Sequence, residues 1–376
     1  MTERILALND VEDLCIGAGV LGTGGGGTIA TGIRFLRSMI EFGAPVTLAS
    51  AHDLADEAIV AVPGGVGSVA PVLSPLQKSL YERWDALFTT EENPYLVALR
   101  ALERFIGKRI SATIPSEMGG YNTACAAMVA ASAGIVFVDC DLAGRAVPEV
   151  GQSSFAIRGL RQTPFAISDI WGDVMIVEEV ESHLRAEAIS RALSVIGEGN
   201  ASVVSYPITW AEAKDAIVPG TVSLAMAIGN AIHTARKAGE DPAAAAVRTA
   251  NGVEIFRGEV RRVEWKDRDG FMWGDAWLSG EGRWHGRSLR AWFKNETLLT
   301  WLDDSPYVTC PDLICTVDAH TGSPVTNTQL CEGMTLLLFA RKAAQCWYTP
   351  EGMDLLSPAH FGFDVQHVPV DEIMEA

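Results

Sequence analysis

Between Ile110 and Glu149 the sequence runs ISATI, PSEMGGYNTACAAMVAASAG, IVFV and then DCDLAGRAVPE. Two short β-branched, apolar runs flank a stretch of small residues with helical character, and polar turns separate them. This is the pattern of a strand–helix–strand crossover, whose two strands must be parallel because the helix returns the chain to the same end of the sheet. In open α/β sheets the loops leaving the carboxyl ends of the strands gather at one edge, where ligands bind. Ser116–Asn122 and Asp139–Glu149 are such loops, and they carry Glu117, Asn122, Asp139, Asp141, Arg145 and Glu149.

The segments before this unit continue the α/β pattern. Asn9 is placed to cap a helix with Val11, Leu14, Cys15 and Ala18 on one face. The run Gly22-Thr23-Gly24-Gly25-Gly26-Gly27 follows, and a second helix is expected over Thr28–Phe42, with its amino end at that loop. The run satisfies G-x-G-x-x-G, but a helix precedes it where a dinucleotide fold requires a strand, so no nicotinamide or flavin is expected. An anionic group could sit on the loop amides; equally, the glycines could serve only positive φ and close packing. VTLAS (46–50) and AIVAV (58–62) read as strands, Pro63–Gly67 as a glycine turn, and Asn93–Ile106 as a helix.

Beyond Pro164 the texture changes. Helical patterns persist at 184–196 and 221–237, and from Gly252 short β-like runs take over: EVRRVEW, FMWGDAWL, SLRAWF, LICTV and TLLLFA. Seven of the ten tryptophans lie beyond residue 250, as suits an aromatic core or a wide buried interface. The expected architecture is an α/β amino-terminal domain with a parallel or mixed sheet, residues 1–167, and a mixed, then β-rich domain, residues 168–376, packed on the first. A chain of 376 residues accommodates two such cores.

A net charge of -18 without any Lys/Arg-rich run argues against a nucleic-acid partner. The amino-terminal residues lack the basic and apolar regions of a signal peptide, and no apolar run reaches membrane-spanning length. Seven cysteines at irregular spacing suit a reducing compartment. The expectation is therefore a cytoplasmic protein, homo-oligomeric, acting on a small molecule.

Each candidate residue has two readings. Glu117, followed by Gly119 and Gly120, is either a general base or substrate anchor, or a cap on the helix at 121. Asp139 and Asp141, two apart at a strand end, either share a substrate or cation or merely form the turn. Arg145 forks onto a carboxylate ligand or onto Glu149. A divalent metal has thin support: the histidines show no paired spacing, and the best cluster is Cys310, Cys315, Asp318 and His320. Cys140 sits between two aspartates, which suppress its thiolate and count against a nucleophile.

The motifs LGTGGGG (21–27), EMGGYNT (117–123), DCDLAGRAVPE (139–149), KNETL (294–298), CPDLI (310–314) and SPAHFGFD (357–364) resemble, in order along nearly the whole chain, those of the S-methyl thiohydantoin desulfurase family. The family is associated with hydantoinase/oxoprolinase proteins. The resemblance implies an α/β domain and a β-rich domain meeting near residues 165–170, and hydrolytic removal of methanethiol from an S-methylated thiohydantoin to give a hydantoin. Cys140, Leu142, Ala143 and Val147 depart from the family's usual wording of the acidic loop.

For that reaction Glu117 is the expected base. Asp139 or Asp141 would orient a ring N–H or hold a metal, for which Asp139, Asp141 and His320 are the candidate ligands. Asn122 and the amides of Gly24, Gly25 and Gly26 would stabilise developing charge. Arg145 would hold a carboxylate substituent, Glu149 belongs to the same loop, and Asn295 and Glu296 would close the site from the second domain. Two other readings stay open: a nucleotide-dependent enzyme using the glycine loop, and a non-catalytic partner of a hydantoinase/oxoprolinase-type enzyme.

Overall fold

The computed structural model describes residues 3–67, 75–198 and 200–374. Strand β1 (Glu3–Ile5) leads into helix α1 (Leu8–Leu21), which starts one residue ahead of Asn9: Ala7 stands at the cap, and its amide donates to Asp10 Oδ2 at 2.9 Å. The glycine loop then delivers α2 (Ile29–Glu41) and β2 (Thr47–Ala49). Strand β3 (Ile59–Gly67) runs straight through the segment read above as a glycine turn. Its Pro63 and Gly64 lie opposite Val204 and Val203 of a neighbouring strand, which supplies the pairing that the local residue types do not announce. Helices α3 (Pro75–Leu87) and α4 (Pro94–Ile106) follow, the latter capped by the Asn93 side chain, which accepts from the Tyr95 amide at 3.0 Å.

The crossover unit comes next: β4 (Ala112–Thr113), α5 (Asn122–Ala133) and β5 (Val136–Val138), with β4 and β5 parallel as the pattern requires. Helix α5 is a run of small residues buried on every side, so it fits between the sheet and α2. After the short β6 (Cys140–Asp141) and α6 (Ser154–Ile157), the chain adds β7 (Phe165–Ser168), β8 (Val174–Val177), α7 (His183–Ile196) and β9 (Asn200–Thr209) to the same sheet. The sheet is mixed, in the order β1-β2-β5-β4-β3-β9-β7-β8. Strands β2, β5, β4 and β3 are parallel, and the remaining pairs are antiparallel. A boundary at 167/168 falls inside β7, and strands of the first sheet extend to Thr209.

Helix α8 (Trp210–Ala213), strand β10 (Val218–Pro219), which pairs with β6, and helices α9 (Thr221–Ala238) and α10 (Pro242–Thr249) lead to the second sheet. This is antiparallel throughout: β11 (Val253–Arg268), β12 (Phe271–Gly280), β13 (Ser288–Lys294), β14 (Glu296–Leu302), β15 (Ser305–Thr309), β16 (Leu313–Asp318) and β17 (Thr335–Arg341), in the order β15-β14-β13-β12-β11-β17-β16. Every β-like run read beyond Gly252 falls in one of these strands. The largest apolar core contains α1, α2, α4 and α5 residues together with Val222 and Ile228 of α9 and Leu313, Cys315, Leu337 and Phe339 of β16 and β17. One core thus holds both domains, and burial of this kind, at roughly 25 cal/mol per Å² of apolar surface, fixes their docking. Among the described residues no helix is long and apolar enough to cross a membrane.

Candidate active site

A cavity of about 720 Å³ lies between the two sheets, a volume that suits a small organic ligand. Its walls include Gly24, Gly25, Gly26, Glu117, Asn122, Glu149, Asn295 and Glu296. Asp139, Asp141 and Arg145 do not line it.

The glycine loop forms one wall. Gly24, Gly26 and Gly27 have φ of +92°, +71° and +78°, a region L side chains rarely enter. The Gly26 carbonyl accepts from the amides of Tyr121 and Asn122 at 3.1 and 3.2 Å, so it satisfies the first donors of α5. Toward the second domain, Thr23 O accepts from Thr297 N and Gly24 O from Asn327 N, both at 2.7 Å. The loop is therefore a strap between the domains as well as a cavity wall.

Glu117 follows β4 and is buried. Its Oε2 accepts from Val147 N at 2.7 Å, and its Oε1 accepts from the Asn122 carboxamide. Met118 N donates to Arg145 O at 3.2 Å, so the loops at 115–121 and 139–149 are joined at Glu117. Burial pushes the Glu117 carboxyl up to about 7, against the opposing pull of the Val147 amide, Asn122 and the Arg145 charge. Glu296, the first residue of β14, reaches the same cavity from the other domain and is 2% exposed. Burial raises it well above the usual carboxylate range. The charge of Glu117 adds to that, whereas Arg145 and the Gly26 amide draw it down. Its Oε2 is buried without a hydrogen-bond partner. Two facing carboxyls in a low-dielectric pocket cannot both ionise cheaply, so near neutral pH the pair holds a proton.

The other acids are spent on structure. Asp139 accepts from Ser223 N at 2.9 Å and from Ser223 Oγ at 2.6 Å, so it caps the amino end of α9. Asp141, fully buried, accepts from the amides of Ala143 and Gly144 at 3.1 and 2.8 Å and forms the turn; burial pushes it up to about 7. The two side chains do not share a face, because the chain bends after β5 to pair Cys140 and Asp141 with β10. Arg145 is also fully buried. Its guanidinium donates to the carbonyls of Ala146, Pro311, Asp312 and Thr297 and to Thr23 Oγ1, at 2.8–3.4 Å. It bolts the acidic loop to the second sheet and does not pair with Glu149.

Glu149 instead meets Lys294, and it accepts from His360 Nε2 at 3.0 Å. Burial opposes its charge, but the bonds from His360 and Lys294 win and hold the carboxyl down to about 2. Asn295, at φ +59°, makes the turn between β13 and β14, and its Oδ1 accepts from Met272 N at 2.9 Å. Among the described residues no three His, Cys, Asp or Glu side chains are arranged to hold a metal ion. Asp318 accepts from the amides of His320 and Thr321, and Cys310 and Cys315 are buried with thiols pushed up to about 12. The Cys140 thiol is raised by burial and by Asp141 and Asp139.

Sequence reasoning passed over Lys294, His360, Gln162 and Tyr206. The first two stand inside motifs already singled out, KNETL and SPAHFGFD. Gln162 and Tyr206 line the cavity from segments with no motif at all.

The family described as "S-Me-THD-like, N-terminal domain" matches residues 9–179, and "S-Me-THD-like, C-terminal domain" matches residues 181–370. A crystal structure of a protein from Chromobacterium violaceum superposes with a TM-score of 0.78 at 22% identity, covering 99% of this chain and 100% of that one, and so shares the fold. No curated protein matches the chain.

Proposed function

The chain belongs to the S-methyl thiohydantoin desulfurase (S-Me-THD-like) family through both of its domains, and from that premise we propose that it is a hydrolase that releases methanethiol from an S-methyl thiohydantoin or a closely related cyclic amide. The observation that supports this reading is the carboxyl pair: Glu117 and Glu296, from different domains, buried in one cavity and both raised above the usual carboxylate range. Water adding to the ring carbon that bears sulfur must lose a proton, while the ring nitrogen or departing sulfur must gain one. A pair holding one proton between two carboxyls can do both. Ionised Glu117, positioned by Asn122 and the Val147 amide, takes the proton from water as the C–O bond forms. Protonated Glu296 donates to the ring nitrogen as the C=N bond becomes single. Collapse of the tetrahedral intermediate breaks the C–S bond and forms the carbonyl: the hydroxyl proton goes to Glu296, restoring its acid form, and the proton held by Glu117 goes to the departing thiolate.

The test is thiol release and hydantoin formation from an S-methyl thiohydantoin by the purified protein, with ATP hydrolysis assayed in parallel. Thiol release that is lost in both Glu117→Gln and Glu296→Gln supports the reading. ATP hydrolysis without thiol release would point to the nucleotide-dependent alternative, and activity appearing only with a hydantoinase-type partner would point to the subunit alternative.

A further inference from the structure

Asn295 stands at the apex between β13 and β14, beside Glu296 and on the same cavity wall, and the proton transfers above leave it without a role. Its own atoms are tightly held. The backbone amide donates to Met272 O at 2.8 Å, the side-chain Oδ1 accepts from Met272 N at 2.9 Å, and the backbone carbonyl accepts from Asn327 Nδ2 at 2.7 Å. Two bonds to one residue fix the carboxamide and decide which of its ends is the oxygen. Only Nδ2 is left over. It has no hydrogen-bond partner among the described residues, and it is not sealed in as Glu296 Oε2 is. Met272 and Glu296, on either side of it, both line the cavity, so the open Nδ2 faces that space. The backbone shows how this comes about. Successive side chains of a strand point to opposite faces, but at φ +59° Asn295 breaks the alternation and brings two consecutive side chains, a carboxamide and a carboxyl, to one wall.

A carboxamide nitrogen donates and does not accept, so the group it meets must be an acceptor. Apart from the amidine nitrogen that Glu296 protonates, the strong acceptor on an S-methyl thiohydantoin ring is the carbonyl oxygen. In the tautomer whose C=N nitrogen lies next to that carbonyl, water adding to the sulfur-bearing carbon pushes electron density through the nitrogen onto the oxygen. A donor placed there is worth more in the transition state than in the ground state. The nitrogen and the carbonyl are neighbours on the ring, as Glu296 and Asn295 are neighbours on the wall. We propose that Asn295 is the specificity-determining donor of this site: its Nδ2 holds the ring carbonyl oxygen and selects rings that carry a carbonyl next to the reacting amidine. The inference rests on the thiohydantoin reading for the ring's identity.

The test is calorimetric binding of hydantoin and of 2-imidazolidinone, the same five-membered cyclic urea without the second carbonyl. Wild type should bind hydantoin at least about tenfold more tightly, since a site built to hydrogen-bond a group rejects an analogue that lacks it. Asn295→Asp keeps the acceptor for Met272 N and tolerates positive φ but removes the donor, so in it that preference should vanish. If the Asp variant does not fold, Asn295→Gly, whose backbone suits φ +59°, should show the same loss, with melting temperatures checked for both. An Asn295 that served only the turn would lower the melting temperature and leave the ratio as it was. Folded variants that keep the preference, or a wild type that shows none or binds neither ring, overturn the proposal. Thiol release by wild type with the preference retained in the variants sinks the carbonyl donor and leaves the desulfurase reading standing. Loss of the preference in variants of a protein that releases no thiol does the reverse.

Discussion

Gly25 lies directly against Glu296: a methyl group added to the glycine would fall well inside the van der Waals surface of the Glu296 carboxyl oxygen. The amino-terminal loop therefore sets where the second domain's acid can stand. Gly25→Ala should displace Glu296 and cut thiol release on the order of 10–100-fold, as small misplacements of reacting groups do. Steady-state rates and a melting curve would check this; a folded variant at full speed would remove Glu296 from the chemistry.

The carboxyl pair also predicts a pH signature. With Glu117 raised to about 7, kcat/KM should climb as pH rises through that value and the base ionises. Glu117→Gln should lower the rate by about 10²–10⁴-fold and flatten the climb. Asn122 can turn its carboxamide to suit the new side chain, so folding should survive.

Stability should move the other way. An acid whose folded pKa lies above its unfolded value binds more protons when folded. Its favourable contribution is intact below the ordinary Glu value of 4.5 and is lost as pH rises through about 7. Glu117→Gln should thus be more stable than wild type at pH 8, by about 3 kcal/mol at most, and nearly equal to it at pH 4.5. Denaturant midpoints at the two pH values would show the gap opening as pH rises, and a variant less stable at pH 8 would contradict it.

Asp139→Ala should cost about 1 kcal/mol of stability by uncapping α9, while the rate per folded molecule stays unchanged. A rate loss beyond the loss of folded protein would return Asp139 to the reaction.

Arg145→Met should be severe, on the order of 3–5 kcal/mol, because it strips partners from several buried carbonyls at once. Low soluble yield and a depressed Tm are the expected result. A stable variant whose only change is a higher KM would make Arg145 a substrate contact.

What could be read from the residues alone divides along physical lines. Strands such as β5 and β17 and helices such as α4 and α9 advertise themselves through period and side-chain type, and the parallel pairing of β4 with β5 follows from the crossover they bound. Pro63–Gly67 does not, because a strand of proline and glycine is held by its neighbour β9 and not by its own propensity. Within the acidic loops, Glu117 and Asp139 look alike in sequence. Only the fold shows that one carboxylate faces the cavity while the other is consumed by Ser223. Gln162 and Tyr206 carry no local signal, since it is the folding of the sheet that brings their segments to the cavity wall.

The bonds from Thr23 and Gly24 to Thr297 and Asn327 have a consequence for how the molecule comes into being. A nascent chain leaving the ribosome has made its glycine loop almost at once, yet the residues that loop must grip arrive only in the last third of translation. Until then Glu117 has no Glu296 beside it, and on the proposed mechanism the growing polypeptide would release no thiol. The glycine loop's partners are thus among the last parts of the chain to be made, and the two carboxyls meet only once the tryptophan-rich end packs onto what was made first.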